Sequence, residues 1–153
     1  MRGFVLQDWV TIRGATTITQ VIQNEANWLS LEMFQDAIFW LQVTELTLGG
    51  GSLGLNYETA PIKDESLFQA MPTPASAPSV AITTATLTPN LLAVKAASAT
   101  LPISRWVRWR LVPASATSTW DVTFRILVSC NQLFTTGMAG GYGGGAGWGQ
   151  QMR

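Results

Sequence analysis

The residues that could do chemistry in this chain are its carboxylates, because the other common catalytic groups are missing or single. The sequence has no histidine and one cysteine, which excludes Ser-His-Asp and Cys-His catalysis and a cysteine–histidine metal cluster. Two carboxylates can hydrolyse a glycosidic bond that they flank, and the candidates are Glu32, Asp36, Glu45, Glu58, Asp64, Glu65 and Asp121. Most lie at predicted turns or on polar strand faces, where solvated carboxylates are normal. We therefore expect no enzyme activity, no cofactor and no metal.

The glycine-rich segment Gly49–Gly54 could in principle cradle a phosphate, because glycine lets backbone N–H groups approach an anion closely. A phosphate-binding loop, however, ends in Gly-Lys-Ser/Thr and opens a helix. This segment has neither feature. We expect it to be a loop between two strands.

Tryptophan is the more informative residue type, since the chain has seven in 153 residues. Trp109 and Trp120 alternate in phase with apolar neighbours, which predicts that both lie in the core. Trp40 and Trp106 fall on the opposite strand faces, beside polar residues. Outward Trp and Arg are typical anchors of protein interfaces, and outward Trp also stacks on sugars. The candidate interface residues are Trp40, Trp106, Arg108, Arg110, Arg125, Tyr142 and Trp148.

Two alternating segments, residues 106–112 and 120–129, must position several of these side chains. Apolar and polar residues alternate along both, which is typical of half-buried β-strands. A loop of Pro, Ser, Ala and Thr joins them, and this predicts an antiparallel hairpin. In that hairpin a single outer wall would carry Trp106, Arg108, Arg110 and Arg125.

The preceding residues are also β-prone. Ile38–Leu46 and Ser52–Glu58 alternate clearly, and further short extended segments bring the total to eight or nine strands without a convincing helix. The three prolines of Pro72–Pro78 indicate a connector, because proline cannot join a central strand. This pattern predicts an all-β fold, an antiparallel β-sandwich of jelly-roll or Greek-key topology, rather than βαβ units.

The last residues have a different composition. Eight of the chain's fourteen glycines lie between Gly137 and Gly149. Glycine loses more conformational entropy on ordering than any other residue, so such a segment needs a surface to hold it. We expect a β-sandwich domain over residues 1–136 and a Gly-rich C-terminal arm over residues 137–153 that a neighbouring chain holds.

Charge is scarce in this sequence. Charged residues make up 12% and hydrophobic residues 47%, with a formal net charge of zero, whereas an ordinary domain has about 25% charged residues. A surface so poor in charge suits a protein that neighbours cover. The neutral balance argues against nucleic-acid binding. No apolar run approaches the length of a membrane-spanning helix, so we expect no membrane association and no signal peptide.

Several patches of the sequence together resemble the small β-sandwich virion proteins of tailed bacteriophages. In those proteins a strand ending in Tyr-Glu-Thr-Ala/Ser-Pro leads into a loop and a short Phe-bearing strand. An Arg-Tyr/Trp-Val-Arg strand precedes the last strand. Here Tyr57–Pro61 leads to Phe68, and Arg105–Arg108 precedes the strand that begins at Trp120. The resemblance spans residues 38–128 and does not include the C-terminal arm.

The resemblance implies a structural virion protein, such as a capsid decoration (cement) protein or another head or tail accessory. Its partners would be the major capsid protein, other virion subunits and further copies of itself. Its location would be the phage particle, assembled in the host cytoplasm. Carbohydrate-binding jelly-rolls share the same pattern, so the alternative is a tail-associated carbohydrate-binding or receptor-binding module with a glycan ligand.

Overall fold

Two antiparallel β-sheets pack face to face in the computed structural model of this chain. The structure describes residues 1–71, 80–83, 90–95, 103–114 and 119–132, and for residues 90–95 the description covers the backbone alone. The predicted Pro72–Pro78 connector and the C-terminal arm, with Tyr142 and Trp148, lie outside the described residues. The predicted all-β antiparallel sandwich is confirmed.

Ten strands and two 3-10 turns form the described part of the chain. None of its helices is long and apolar enough to cross a membrane. The strands are β1 (Arg2–Gly14), β2 (Val21–Ile22), β3 (Leu29–Ser30), β4 (Phe34–Leu48), β5 (Ser52–Ala60), β6 (Gln69–Ala70), β7 (Val80–Ile82), β8 (Asn90–Lys95), β9 (Trp106–Ala114) and β10 (Trp120–Gln132). The turns are η1 (Glu25–Asn27) and η2 (Glu65–Leu67).

The strands divide unequally between the two sheets. One sheet has four strands in the order β1, β10, β4 and β8. The other has six strands around the central pair β9 and β5, with β2 and β3 along the free side of β9 and β6 and β7 along the free side of β5. The edge strands of this second sheet are two or three residues long, which leaves little backbone for pairing with another chain.

The predicted hairpin is wrong, because β9 and β10 belong to different sheets. β9 pairs with β5, whereas β10 lies between β1 and β4. Both strands alternate as predicted, but alternation shows which face is buried and does not identify the neighbouring strand. As a result Arg125 lies on the opposite outer surface of the sandwich from Trp106, Arg108 and Arg110.

Aromatic contacts join the two sheets across the core. Phe39 of β4 stacks on Tyr57 of β5 with ring centroids 4.2 Å apart. Trp109 of β9 meets Phe124 of β10 edge to face at 5.2 Å. Burial raises the pKa of the Tyr57 phenol, because its charged form would lose hydration. Trp109 and Trp120 are both buried, as their phase in the sequence predicted.

Gly14 is a position where β1 approaches an indole ring closely. It pairs in register with Trp120, and a methyl group added at Gly14 would overlap the buried Trp120 ring. We expect Gly14→Ala to lower the free energy of unfolding by about 1–3 kcal/mol, the usual cost of overpacking. Urea denaturation measures this loss. Gly3→Ala is the matched control, because the nearest atom to its added methyl is 4.0 Å away. Equal losses in both variants would contradict the steric explanation.

Cys130 is a buried thiol near the end of β10. Burial, followed by the nearby charge of Asp36, raises its pKa from 9.0 to about 11. The unfolded thiol ionises before the folded one does, so this residue makes stability decline as the pH rises from about 9 towards 11. We expect the native thiol to resist Ellman's reagent at pH 8 and the unfolded thiol to react at once. Rapid labelling of the native protein would contradict its burial.

Candidate functional site

The two outer surfaces of the sandwich carry the predicted interface residues, and they differ in character. We call the outward side of the six-stranded sheet the six-stranded face, which holds Trp106, Arg108 and Arg110. The outward side of the four-stranded sheet, the four-stranded face, holds Trp40 and Arg125. The predicted interface residues therefore form two separate groups.

A buried ion cluster lies at the centre of the six-stranded face. The Glu58 carboxylate of β5 lies between two guanidinium groups of β9. Its Oε2 accepts a hydrogen bond from Arg108 Nε at 2.7 Å, and its Oε1 lies 2.7 Å from Arg110 Nε. The side chains of Glu58 and Arg108 are 1% and 4% exposed. Burying this carboxylate is tolerable because both of its oxygens face a cation.

Two turns of the same design cover this cluster. In η1 the Asn24 side chain accepts a hydrogen bond from the Ala26 N–H at 2.9 Å, and in η2 the Asp64 side chain accepts one from the Ser66 N–H at 2.9 Å. Hydrogen bonds from the Ser66 hydroxyl and then its amide lower the pKa of Asp64. Both turns follow the pattern Asx-Glu-x-x-aromatic, 40 positions apart: Asn24-Glu25-Ala26-Asn27-Trp28 and Asp64-Glu65-Ser66-Leu67-Phe68.

The aromatic residue that ends each turn packs onto the cluster. Trp28 and Phe68 meet edge to face with centroids 4.7 Å apart. The Arg108 guanidinium carbon lies 4.0 Å from the Phe68 centroid and 5.2 Å from the Trp28 centroid, which is cation–π geometry. Arg108 is therefore enclosed by its own chain and offers almost no surface to another molecule. Its predicted role as an interface residue has no support in this burial.

Trp106 is half-buried beside this cluster, and two cations already flank its ring. Lys63 Nζ lies 5.3 Å and the Arg105 guanidinium carbon 5.7 Å from its centroid. Ion pairs tie these cations to Glu25 at 3.5 Å and Glu32 at 3.2 Å. The four cations of the face thus each have a carboxylate partner. The residues of these ion pairs are Lys63, Arg105, Arg108, Arg110, Glu25, Glu32, Glu58 and Glu65. Because the positive charges of these residues are balanced by their carboxylates, they leave no surplus positive charge to attract an anion.

Gln23 closes the sandwich where β1, β9 and η1 meet. This buried side chain donates to the Leu6 carbonyl at 2.5 Å and the Asn27 carbonyl at 3.1 Å. Its Oε1 accepts from the Trp109 N–H at 3.2 Å. The Gln23 carbonyl also accepts from the Trp28 indole N–H at 3.0 Å. One amide thereby links the first strand to the turn that covers the ion cluster.

The four-stranded face has a polar half and an apolar half. In the polar half the Arg125 guanidinium carbon lies 4.9 Å from the centroid of Trp9, and Arg125 Nε donates a hydrogen bond to Gln42 Oε1. Beside them the Thr123 hydroxyl donates to Glu45 at 2.9 Å. Trp9 is 43% exposed, so this aromatic ring remains accessible although Arg125 contacts it.

The apolar half contains a shallow pocket of about 330 Å³. Val5, one of its lining residues, is 60% exposed, so an apolar side chain of β1 faces solvent at this pocket. The Trp40 indole N–H donates to the Ser129 hydroxyl at 3.2 Å, which fixes the ring against β10. The pocket is lined by Gly3, Val5, Trp40, Leu127 and Ser129, among others, and none of its lining residues is charged.

The carboxylates considered as a catalytic pair are mostly engaged within the chain. Asp36 accepts from the Asn131 backbone and side-chain N–H groups, both at 2.9 Å. Of the other candidate carboxylates, all but Asp121 have a partner within the chain: Glu32, Glu45, Glu58, Asp64 and Glu65. Among the described residues no group of three His, Cys, Asp or Glu side chains could hold a metal ion.

Two residues contribute strongly to the six-stranded face in ways that the sequence did not predict: Glu58, a candidate only as a catalytic carboxylate, and Gln23, which was no candidate at all. For Glu58 a signal existed, because the repeated Asx-Glu-x-x-aromatic pattern marks the two turns that bury it. Gln23 carries no comparable signal. It is a glutamine next to a predicted turn, and its role depends on strands far away in the sequence.

The geometry defines a class, an all-β antiparallel sandwich with one self-covered outer face and one partly exposed apolar outer face. No family model, curated protein or solved structure matches this chain.

Proposed function

We propose that this chain is a structural subunit of a phage-like particle, a capsid decoration (cement) protein that stabilises the particle through contacts between subunits. The observation that carries the proposal is the four-stranded face. It exposes Val5 and Trp9 on β1, whose pairing with β10 shifts register between these two residues, and it has an uncharged pocket at Val5. Exposed apolar patches with polar surroundings are typical of protein interaction sites.

Two further features support an assembly role. The low charge content and zero net charge minimise repulsion between many identical copies in one particle. The six-stranded face provides rigidity, since its ion pairs, aromatic contacts and turns are formed within the chain. Many weak contacts from the four-stranded face would then add through multivalency. The partners are the major capsid protein, other virion subunits and copies of this chain.

Mass spectrometry of purified particles tests the location. In particles produced by the genome that encodes the chain, we expect many copies per particle, in a fixed ratio to the major capsid protein. Complete absence from purified particles would contradict the proposal.

The C-terminal arm gives a second test. We expect a chain without Gly137–Arg153 to keep its fold, measured by circular dichroism, and to lose binding to assembled particles in co-sedimentation. The reason is that the arm would supply contact area outside the sandwich. Binding that survives the deletion would remove the arm from the mechanism.

A carbohydrate-binding or receptor-binding module is the second candidate, and the polar half of the four-stranded face favours it. Trp9, Arg125 and Gln42 place an exposed ring beside planar hydrogen-bonding groups, a combination that suits a sugar. Trp40 and Trp106 do not form a common platform, because they lie on opposite outer faces.

A glycan array separates the two candidates. Specific glycan binding would establish the second function if Trp9→Ala or Trp40→Ala abolishes it. Trp106→Ala, on the other face, should leave that binding intact. No binding to any glycan would exclude it.

A further inference from the structure

The uncharged pocket on the four-stranded face offers a site for an apolar side chain. We propose that it receives the C-terminal arm, residues 137–153, of a second copy of this chain, with the ring of Tyr142 or Trp148 in the pocket. This inference rests on the proposed function and names one partner for that face. Each chain would then insert its arm into the pocket of one neighbour and receive the arm of another in its own pocket.

The chemistry of the pocket matches that of the arm. The pocket wall is formed by strand residues without charge, including Leu127 and the Trp40 ring, which Ser129 holds by a hydrogen bond. The arm has one charged residue, Arg153, at its last position, and its aromatic residues stand among glycines. Glycine allows a backbone to approach a flat sheet closely. Docking of Tyr142 or Trp148 in the pocket would therefore bury no charged side chain, the kind of group that is most costly to remove from water.

The position of β10 favours the arm of a neighbour over the chain's own arm. Leu127 and Ser129 line the pocket, and β10 runs on from there to Gln132, so its last residues lead away from the chain's own pocket. The 21 residues that follow Gln132 could span up to about 70 Å when extended. That length exceeds the roughly 50 Å of a 15-residue strand such as β4, so the arm can extend beyond its own sandwich.

One arm and one pocket per chain define a head-to-tail contact. Such heterologous interfaces produce closed rings when the rotation closes and open filaments when it does not. A repeated contact of this kind gives a structural subunit an oligomeric form without a large flat interface. The docking of each arm adds to the contacts that the sandwich makes in the assembly.

Disulfide trapping with full-length chains tests the docking. A tagged chain carrying Val5→Cys is mixed with an untagged chain carrying Tyr142→Cys or Trp148→Cys, under mild oxidation. Because Val5 is 60% exposed at the pocket rim, the substitution should not disturb the core. Ile62→Cys is the matched control, since Ile62 is an aliphatic residue 56% exposed in a loop outside the four-stranded face. The native Cys130 is buried and contributes no background.

We expect the mixed disulfide with Val5→Cys to form at least ~10-fold faster than with Ile62→Cys. Equal rates would overturn the proposal. A second outcome would also overturn the proposal. If a single chain with Val5→Cys and Tyr142→Cys, or Val5→Cys and Trp148→Cys, forms an internal disulfide and no dimer, the arm occupies the pocket of its own chain.

Sedimentation velocity of the full chain gives an independent readout. We expect Val5→Asp to shift the protein from oligomer to monomer, while Ile62→Asp leaves the oligomer unchanged. An unchanged oligomer in Val5→Asp would contradict arm docking. If trapping and sedimentation both fail while the chain is still found in particles, arm docking is wrong and the proposed function stands.

Discussion

A Glu58→Gln variant is expected to lose about 3–5 kcal/mol of unfolding free energy, the usual result of removing one partner of a buried ion pair. The substitution keeps the shape of the side chain and removes its charge. Arg108, whose side chain is 4% exposed, would then remain buried beside Phe68 with Glu65 as its carboxylate partner, and that side chain is 3.8 Å away and 67% exposed. Arg110 is 30% exposed and can turn towards water, so Arg108 accounts for most of the loss.

Urea denaturation at neutral pH measures this loss, and Glu25→Gln is its matched control. Glu25 forms an ion pair with Lys63 at 3.5 Å, but its side chain is 63% exposed. Exposed pairs contribute about 0–1 kcal/mol, so the control should be nearly neutral. If the two variants lose similar amounts, the Glu58 cluster is not the stabilising element that its burial indicates.

A double variant shows whether the charge or the packing matters. The double variant combines Glu58→Gln with Arg108→Met. It removes the buried cation that has lost Glu58 and keeps an apolar side chain beside Trp28 and Phe68. We expect it to recover at least half of the loss. A double variant that is less stable than Glu58→Gln alone would indicate that the cation–π contacts of Arg108 outweigh the cost of leaving it unpaired.

Gln23→Met has the second largest expected effect. The substitution preserves length and volume but removes the amide that serves the Leu6 and Asn27 carbonyls and the Trp109 N–H. Each buried backbone group left without a partner costs about 1–3 kcal/mol. We expect a total loss of about 3 kcal/mol, because water can reach some of these groups after local rearrangement.

Hydrogen exchange distinguishes this loss from a general packing defect. The Trp109 amide should exchange at least ~10-fold faster in Gln23→Met, since its acceptor is gone. Gln20→Met is the control: Gln20 is exposed and accepts a long hydrogen bond of 3.4 Å from Arg110. Unchanged protection of the Trp109 amide would show that another group replaces Gln23 as its acceptor.

The fold class could be predicted from the sequence because burial in a sandwich leaves a local trace. Alternation along β4, β9 and β10 identified their inner faces correctly, including Trp109 and Trp120. Strand pairing leaves no such trace. The loop after β9 resembles a hairpin connection, yet β10 finds its partners in β1 and β4, and nothing within a few residues of the loop specifies that choice.

The candidate site was less predictable, for the same reason. Trp106 and Arg108 point away from the core as expected, but outward from the sheet is not the same as exposed to solvent. The turns η1 and η2 cover this face, and their effect on it depends on contacts between residues some 40 to 80 positions apart. Trp9 belongs to the exposed four-stranded face, where it contacts Arg125.

The pairing of β1 with β10 has a consequence for synthesis on the ribosome. The first strand ends at Gly14, but the strand that it joins begins at Trp120. At roughly 5–20 residues per second, the partner emerges about 5–20 s later. Throughout that interval the N-terminal segment, with Val5 and Trp9, lacks β10, which is its pairing partner among the described strands. We expect nascent chains to be sensitive to proteases near the N-terminus until Gln132 has left the exit tunnel, and chaperones that bind exposed apolar segments to favour that region.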